Sequence, residues 1–252
     1  MTSSSPIRAI VTGHNRGLGA ALAEQLLARN VAVLGLSRSR HADLHTRFPA
    51  LLEEIELELG DPAQVAQWAA SDALRAFTSG AQTVLLINNA GTMQPVGPVE
   101  TQNPAEIATA ISLNVAAPLM LSSALAAASV DATDRRIVHI SSGAGRNAYP
   151  GWSVYCATKA ALDHHARAVA LDANRALRIC SLAPGVIDTN MQAQIRGSDK
   201  DRFPMRERFE ELKQNGQLAT PEACATQLLD YAFSDAFGTT PVADIREVGK
   251  PA

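Results

Sequence analysis

The sequence lacks the features that mark secreted, membrane-spanning, metal-binding or nucleic-acid-binding proteins. Its three cysteines cannot pair completely and form no CxxC motif, so we interpret them as the free thiols of a cytoplasmic protein. A formal net charge of −3 gives no general attraction to nucleic acid or to an anionic membrane. The start has no signal-peptide pattern, and we find no apolar run near the ~20 residues of a bilayer span. The adjacent His164 and His165 point to different helix faces, so we predict no metal site.

What the chain does contain is a regular alternation of short apolar runs and longer Ala/Leu-rich segments. The apolar runs, which predict strands, are residues 7–11, 31–36, 54–59, 83–87, 136–140, 177–182 and 242–245. The segments that predict helices are residues 18–29, 44–52, 62–77, 104–128 and 153–173. Continuous apolar strands separated by helices are typical of a parallel sheet covered on both faces. We therefore predict an α/β fold over residues 1–252, a single-domain Rossmann-type doubly wound sheet of about seven strands with helices on both faces.

One polar stretch interrupts this alternation shortly after the sixth predicted strand. It covers residues 192–216 and lies where parallel sheets bind their ligands. We interpret residues 190–216 as a lid over the substrate. A solvated pair of surface helices is the alternative.

Three glycines separate the first predicted strand from the first predicted helix. Gly13, Gly17 and Gly19 permit a tight turn and a close approach of the backbone to a pyrophosphate. The helix that follows offers free N–H groups and the positive end of its dipole to an anion. The spacing differs from Gly-x-Gly-x-x-Gly, and a turn that only reverses the chain needs one glycine rather than three.

The residues near the predicted ribose site favour NADP(H) over NAD(H). About 20 residues after the glycine turn, NAD-binding sheets carry an acid that binds the ribose 2′-hydroxyl. Here that position is Ser37, followed by Arg38, and Arg16 lies within the turn itself. Two guanidinium groups suit a 2′-phosphate, although both arginines are also compatible with an ordinary surface.

Tyr155 and Lys159 stand four residues apart on a predicted helix, which places both side chains on one face. A free tyrosine has a pKa near 10, and a neighbouring ammonium lowers that pKa. The pair is then suited to general acid/base catalysis. The same spacing also occurs on many solvated helix faces.

Taken together, these motifs resemble those of the short-chain dehydrogenase/reductase family. The similarity covers nearly the whole chain and rests on Thr12-Gly13-x-x-x-Gly17-x-Gly19, Asn88-Asn89-Ala90-Gly91, Asn114, Ser141-Ser142, Tyr155-x-x-x-Lys159 and Pro184-Gly185. Residues 151–161 and 183–192 are most similar to sepiapterin reductases and bacterial benzil reductase-like proteins. The resemblance implies a reductase that transfers a hydride from NADP(H) to the carbonyl of a small ketone or dicarbonyl. An alcohol dehydrogenase working in the oxidising direction and a non-catalytic NADP-binding sensor remain open.

The resemblance also implies roles for individual residues. Tyr155 would donate the proton, Ser142 would bind the carbonyl oxygen, Lys159 would bind the nicotinamide ribose, and Asn114 would hold a water. The residues expected at the cofactor are Gly13, Asn15, Arg16, Gly17, Leu18, Gly19, Ser37, Arg38, Glu58, Asn88, Ala90, Gly91, Tyr155, Lys159, Pro184, Gly185, Ile187 and Thr189.

The substrate and the assembly are less closely specified by the same resemblance. Ser142 and Tyr155 would contact the substrate, and Trp152 would either line the pocket or pack beneath the helix. Asp244 would either bind a cationic or amide-like edge of the substrate or be a surface carboxylate at a strand end. Relatives pair through the Tyr155 helix and the helix before it, which implies a homodimer or homotetramer.

Overall fold

The computed structural model describes residues 6–172, 174, 176–197 and 202–248 and contains a seven-stranded parallel sheet. Its strands, numbered along the chain, are β1 Ile7–Thr12, β2 Ala32–Ser37, β3 Leu52–Glu56, β4 Thr83–Asn88, β5 Asp134–Ile140, β6 Leu177–Ala183 and β7 Val242–Asp244. They lie in the order β3-β2-β1-β4-β5-β6-β7. The order reverses next to β1, so a crevice opens at the carboxyl ends of β1 and β4, where such sheets bind ligands. The predicted Rossmann-type sheet of about seven strands is confirmed.

Helices cover both faces of this sheet. Their bounds are α1 Gly17–Ala28, α2 Leu44–Arg47, α3 Pro62–Ala69, α4 Ala73–Thr78, α5 Pro104–Ile111, α6 Ala117–Ala128, α7 Ser153–Ala170, α8 Asn190–Arg196, α9 Arg206–Gln214 and α10 Pro221–Phe233. Successive strand residues point to opposite faces: Val11 packs in the core that includes Leu22 of α1 and Leu228 of α10. Ile10 packs in the core that includes Leu121 of α6. Two separate hydrophobic cores hold the sheet between its helical layers.

Several predicted boundaries were wrong. The helix predicted over 44–52 ends at Arg47, because Phe48 precedes Pro49 and a residue before proline disfavours the helical region. The third strand is Leu52–Glu56 instead of 54–59, in register with β2. The helix predicted over 62–77 divides into α3 and α4. Residue 173, the predicted end of α7, lies outside the described residues.

The long helix predicted over 104–128 contains a π-helical turn at Ser112–Ala116. Pro118 follows this turn and has no N–H to donate to the carbonyl of Asn114, which an α-helix would require. The backbone widens instead, and the N–H of Ala117 donates to the carbonyl of Ser112, five residues back. The turn carries Asn114, and π-turns of this kind occur frequently at functional sites.

The segment Pro104–Ala128 also corrects the expectation that no run approaches the length of a membrane span. It is 25 residues long, and the mean hydropathy of its most apolar window is 1.6. By length and composition alone, this helix is therefore long and apolar enough to cross a membrane. Its alanines raise the hydropathy without forming one uninterrupted run of large apolar residues. Ala117, Leu121 and Leu125 are buried in the core on this face of the sheet, as in the core helix of a globular fold.

Candidate active site

A cleft of about 1390 Å³ runs along the carboxyl ends of the strands. Its walls include the glycine turn at one end and Tyr155 and Lys159 further along. Most of the residues that sequence analysis proposed as site residues line it, from Gly13, Asn15, Arg16, Gly17, Leu18, Gly19, Ser37, Arg38, Glu58, Ala90 and Gly91 to Ser142, Trp152, Tyr155, Lys159, Pro184, Gly185, Ile187, Thr189 and Asp244. Tertiary folding therefore brings together residues far apart in the sequence.

The glycine turn between β1 and α1 has a backbone that side chains would obstruct. Gly13 and Gly17 have φ values of +67° and +55°, in the left-handed region that glycine adopts most readily. A Cβ on Gly19 would lie 2.0 Å from the carbonyl oxygen of Gly13. Beyond its chain neighbours and its own helix, such a Cβ at Gly17 would meet, among the described residues, Thr189 across the cleft at 3.5 Å. The turn is thus closely packed against itself and open towards the cleft, which suits a pyrophosphate.

Thr12 and Asn89 bind the turn to the loop after β4. The hydroxyl of Thr12 accepts hydrogen bonds from the backbone N–H groups of Asn89 and Ala90, both at 2.9 Å. The Asn89 side chain donates to the carbonyl of Thr12 at 2.9 Å. Asn89 lines the cleft, whereas the neighbouring Asn88 points into the protein and donates to Nδ1 of His139 at 3.1 Å. Sequence analysis singled out Asn88 and missed Asn89, although alternation at a strand end is the signal that separates them.

At the predicted ribose end, several polar side chains lie close together around the end of β2. Ser37 is buried and donates to the carbonyl of Ser39 at 2.6 Å, and Asn15 donates to the hydroxyl of Ser39 at 2.8 Å. The Arg38 side chain is 69% exposed, with its Nε 4.0 Å from the carboxylate of Glu58. Glu58 also accepts from the N–H of Gly60 at 2.9 Å. This end of the cleft therefore presents an accessible guanidinium beside an already engaged carboxylate.

Three of the proposed catalytic residues, Ser142, Tyr155 and Lys159, line the cleft beside the end of β5 and the first turns of α7. Tyr155 and Lys159 share a face of α7, and Lys159 Nζ lies 5.6 Å from the centre of the Tyr155 ring. Lys159 donates to the carbonyl of Ile140 at 2.7 Å. Ser142 lines the same part of the cleft and accepts from the N–H of Ala144 at 3.2 Å, which caps a short 3₁₀ turn. A phenol, a hydroxyl and an ammonium thus face one part of the cleft.

Asn114 lies behind this group and does not line the cleft itself. Its amide accepts from the N–H of Thr92 at 2.8 Å and donates to the carbonyl of Thr92 at 2.7 Å and to the hydroxyl of Thr158 at 3.1 Å. A Cβ on Gly91 would be 3.2 Å from Oδ1 of Asn114 and 3.8 Å from Nζ of Lys159. The glycine at position 91 thus keeps the space between the asparagine and the lysine open.

Burial decides the ionisation of both residues on α7. The surrounding protein desolvates the Tyr155 hydroxyl and raises its pKa to about 12, although the hydrogen bond from Ser142 works in the opposite direction. Burial lowers the pKa of Lys159 to about 8, against the attraction of Asp163. The pKa of Tyr155 is therefore raised overall, where the neighbouring ammonium predicted a lowered value, because desolvation by burial is the largest contribution. At neutral pH the phenol is protonated and the amine carries its charge.

The far side of the cleft is aromatic. Trp152 is buried and stacks on Phe203 with ring centres 4.6 Å apart, and it also contacts Phe209 at 5.6 Å and Tyr155 at 5.3 Å. Phe209 belongs to α9, within the predicted lid, and also lines the cleft. Residues 198–201 of that predicted lid lie outside the described residues. Tyr149 lines the same wall, and sequence analysis missed it because no motif contains it.

Asp244, at the end of β7, lies in the wall of the cleft with its carboxylate occupied. Arg246 donates to both carboxylate oxygens, at 2.8 and 2.6 Å, in a forked pair. These hydrogen bonds hold the pKa of Asp244 below its ordinary value. Arg246 also lines the cleft, and its Cδ lies 3.6 Å from where a Cβ of Gly185 would be. Any cationic group that binds Asp244 has to compete with this arginine, which sequence analysis did not single out.

Comparison with known proteins places these residues in a wider group. Residues 8–200 match the family described as short chain dehydrogenase. The chain is 34% identical to the benzil reductase ((S)-benzoin forming) of Bacillus cereus, over 94% of this chain and 98% of that one. It is 33% identical to the sepiapterin reductase of Meriones unguiculatus, over 90% and 92% of the two chains. A solved short-chain dehydrogenase/reductase structure from Burkholderia vietnamiensis is 55% identical, with a TM-score of 0.71 and coverage of 97% and 100%.

Proposed function

The chain belongs to the short chain dehydrogenase family of NAD(P)H-binding oxidoreductases, and on that premise we propose that it is an NADPH-dependent carbonyl reductase. Its substrate would be a small ketone or dicarbonyl, similar in kind to benzil or sepiapterin. The observation that carries this proposal is that Tyr155, Ser142 and Lys159 line the same cleft as the glycine turn.

The residues of the cleft fit a dinucleotide. The left-handed backbone at Gly13 and Gly17 exposes the start of α1 for a pyrophosphate, next to Asn15, Arg16, Leu18 and Gly19. We propose that Ala90 and Gly91 adjoin the adenosine half and that Pro184, Gly185, Ile187 and Thr189 adjoin the nicotinamide. When bound, the cofactor would supply the hydride from C4 of its nicotinamide.

Preference for the phosphorylated cofactor is proposed from Arg16 and Arg38. The position where an acid would bind a ribose 2′-hydroxyl is Ser37, and Arg38 is largely exposed towards the cleft. Its 4.0 Å approach to Glu58 leaves donors of the guanidinium available for a phosphate. We expect Arg38→Asp to move preference towards NADH. The test compares kcat/KM for NADPH and NADH, and an unchanged ratio would contradict the role of Arg38.

In the proposed reaction, Tyr155 donates its proton to the carbonyl oxygen, and Ser142 donates a hydrogen bond to the same oxygen. Together they stabilise the negative charge that develops there. Lys159, protonated at neutral pH, binds the nicotinamide ribose and stabilises the phenolate that proton donation leaves behind. Asn114, held by Thr92 and Thr158, holds a water through which the proton is replaced.

Replacing Tyr155 with phenylalanine tests the proton donor. We expect a fall in turnover of roughly 10²–10⁴-fold, because general acid catalysis contributes that much. NADPH binding should remain close to that of the unaltered protein. Tyr231→Phe is the matched control, since it removes a buried phenol outside the cleft. Normal turnover in Tyr155→Phe would refute the assignment.

Two alternatives remain testable in the same assay. An oxidising alcohol dehydrogenase uses the site in reverse and needs the phenolate as a base, whereas the pKa of about 12 keeps Tyr155 protonated. Rates measured in both directions at neutral pH distinguish the two. Tight NADPH binding without turnover over a wide panel of carbonyl compounds would instead support a non-catalytic sensor.

We propose that Trp152 and the lid, residues 190–216, enclose the substrate, with Asp244 at its far edge. Phe209 and Leu212 of α9 and Ile195 of α8 line the cleft, which supports a covering role for this segment. An NADPH-oxidation screen with sepiapterin, benzil and simple ketones identifies the substrate class. Asp244→Asn should weaken the binding of a substrate with a cationic or amide-like edge and leave the binding of a plain diketone unchanged.

We further propose a cytoplasmic homodimer or homotetramer that pairs through α7 and the α5–α6 segment. Ile111, at the end of α5, is 42% exposed and Leu171, at the end of α7, is 84% exposed, so both offer apolar contacts. Light scattering coupled to gel filtration measures the assembly, and a monomer at micromolar concentration would contradict it.

A further inference from the structure

A histidine and a glutamate are buried together directly beneath the glycine turn. Nε2 of His14 lies 2.7 Å from Oε1 of Glu54, and the two side chains are only 1% and 2% exposed. Neither residue lines the cleft. Burying a polar side chain costs free energy unless hydrogen bonds compensate for the lost water. We therefore expect this pair to stabilise the backbone segments around it.

The His14 ring fits because β2 has a glycine at the right position. Val11, Gly35 and Glu54 are register partners on β1, β2 and β3, so they form one row across the sheet. The chain turns back after β1, and the ring of His14 fills the space above Gly35. A Cβ on Gly35 would be 2.5 Å from ring atoms of His14. The missing side chain therefore lets a residue of the glycine turn reach an acid two strands away.

Glu54 also holds the loop that follows β2. The same Oε1 accepts the backbone N–H of His41 at 2.7 Å. A second link runs in parallel, from the side chain of Asn15 to the hydroxyl of Ser39 at 2.8 Å. The glycine turn and the loop 38–43 are thus joined at two points, one exposed and one buried.

The charge states make the buried link a strong one. Burial alone would raise the pKa of Glu54, but the N–H of His41 and the ring of His14 bring that pKa below its ordinary value. Burial lowers the pKa of His14, although Glu54 acts in the opposite sense. At neutral pH a carboxylate therefore accepts two hydrogen bonds, one from a neutral imidazole. Hydrogen bonds to an ionised acceptor are about twice as strong as neutral ones.

We propose that His14 and Glu54 are positioning residues that set the glycine turn and the 38–43 loop in one fixed relation, so that NADPH affinity depends on a pair outside the cleft. The inference rests on the proposed function for the identity of the cofactor. The turn would bind the pyrophosphate and the loop would present Arg38 to the 2′-phosphate. Their separation then has to match the distance between those two phosphate groups.

The test is nucleotide binding by Glu54→Ala, Glu54→Gln and Glu53→Ala, measured by fluorescence titration with NADPH and with NADH. We expect Glu54→Ala to bind NADPH about tenfold more weakly, because an ionised hydrogen-bond acceptor is lost. NADH binding should weaken less, since the loop contributes to the 2′-phosphate alone. Turnover at saturating NADPH should stay within about twofold, because the reacting groups are unchanged. Glu54→Gln retains an acceptor oxygen for both donors but not the charge, so it should recover part of the affinity.

Glu53→Ala is the matched control, because Glu53 is exposed on the same strand and points to the opposite face. It should bind both nucleotides as the unaltered protein does. Gly35→Ala is an independent variant that displaces the His14 ring without removing a polar group, and it should weaken NADPH binding in the same direction. Circular dichroism shows which variants fold.

The outcomes separate the inference from the proposed function. If the unaltered protein binds neither nucleotide, the proposed function fails. If it binds NADPH and folded Glu54→Ala binds it equally well, the positioning role is refuted. Equal weakening in Glu53→Ala, or no recovery in a folded Glu54→Gln, would also overturn it. A fall in melting temperature without a change in affinity would show that the pair only stabilises the fold.

Discussion

The ammonium group of Lys159 is buried, which lowers the stability of the folded protein. Replacing Lys159 with methionine measures the size of this free-energy penalty. The lysine is 5% exposed, and its Nζ donates to the carbonyl of Ile140. Burial lowers its pKa from 10.5 to about 8, while Asp163 opposes that shift. At neutral pH the amine is protonated in the folded protein and in the unfolded chain alike. The folded protein therefore bears an electrostatic penalty that the proposed catalytic role requires.

The size and sign of the penalty follow from these two pKa values. Below pH 8 both states hold the proton, so the penalty is fully present and does not vary with pH. Between pH 8 and 10.5 the unfolded chain keeps a proton that the folded protein has released, so the free energy of unfolding rises with pH. The gap corresponds to about 3 kcal/mol, at about 1.36 kcal/mol for each pH unit.

The assay is urea unfolding of the unaltered protein and of Lys159→Met, without nucleotide, across that pH range. The stability of the unaltered protein relative to the variant should rise by about 3 kcal/mol between pH 8 and 10.5. The thiols of Cys180 and Cys224, whose pKa values burial raises to about 11, destabilise both proteins at high pH and cancel in the difference. Lys213→Met, at a half-exposed lysine that pairs with Asp188, is the control for replacing a lysine that is not buried.

A difference that stays flat, or that falls as pH rises, would refute the reasoning about Lys159. The variant should also lose turnover, because no ammonium then stabilises the phenolate. A variant that keeps full turnover would contradict the proposed role even if the stability profile is as expected.

Three further predictions concern other parts of the site and core. Ser142→Ala should lower kcat by about 10²-fold, the loss typical of one oxyanion donor, with NADPH affinity unchanged by titration. Gly19→Ala should abolish NADPH binding and lower the melting temperature, because its Cβ would lie 2.0 Å from the carbonyl oxygen of Gly13. Calorimetry should show no fall in melting temperature for the control Gly197→Ala, where the nearest atom to the added Cβ is at 3.4 Å. Burial lowers the pKa of His139 from 6.5 to about 3, so its contribution to stability should be complete above pH 6.5 and lost as pH falls towards 3. Urea unfolding should show this loss in the unaltered protein and not in His139→Gln.

Much of the fold could be predicted from local patterns. Strands buried on both faces need continuous apolar residues, and the runs at 7–11, 83–87 and 177–182 became β1, β4 and β6 of one parallel sheet. The glycines after β1 indicated a tight turn, and the backbone there is left-handed at Gly13 and Gly17. These patterns predict the structure because a buried strand requires apolar residues along its own length and a left-handed turn requires glycine at its own positions.

Other features depended on interactions that local patterns do not contain. The π-turn at Ser112–Ala116 depends on one residue, Pro118, within a sequence that otherwise has a continuous helical pattern. The placement of Asn89 at the cleft, with Asn88 in the core, depends on the last residue of a strand and on its partner His139. The capping of Asp244 by Arg246 depends on a turn at the end of β7. In each case the deciding contact comes from the packed arrangement of neighbouring elements.

By itself the sequence determined the alternation of strands and helices, the glycine turn and the four-residue spacing of Tyr155 and Lys159, because each is set by residues close together in the chain. Only the tertiary structure decided that burial raises the pKa of Tyr155 in spite of the nearby lysine. It also decided that His14 reaches Glu54 across the gap at Gly35. The physical reason is the same for both, since desolvation and buried hydrogen bonds depend on every element packed around a side chain and on none of them alone.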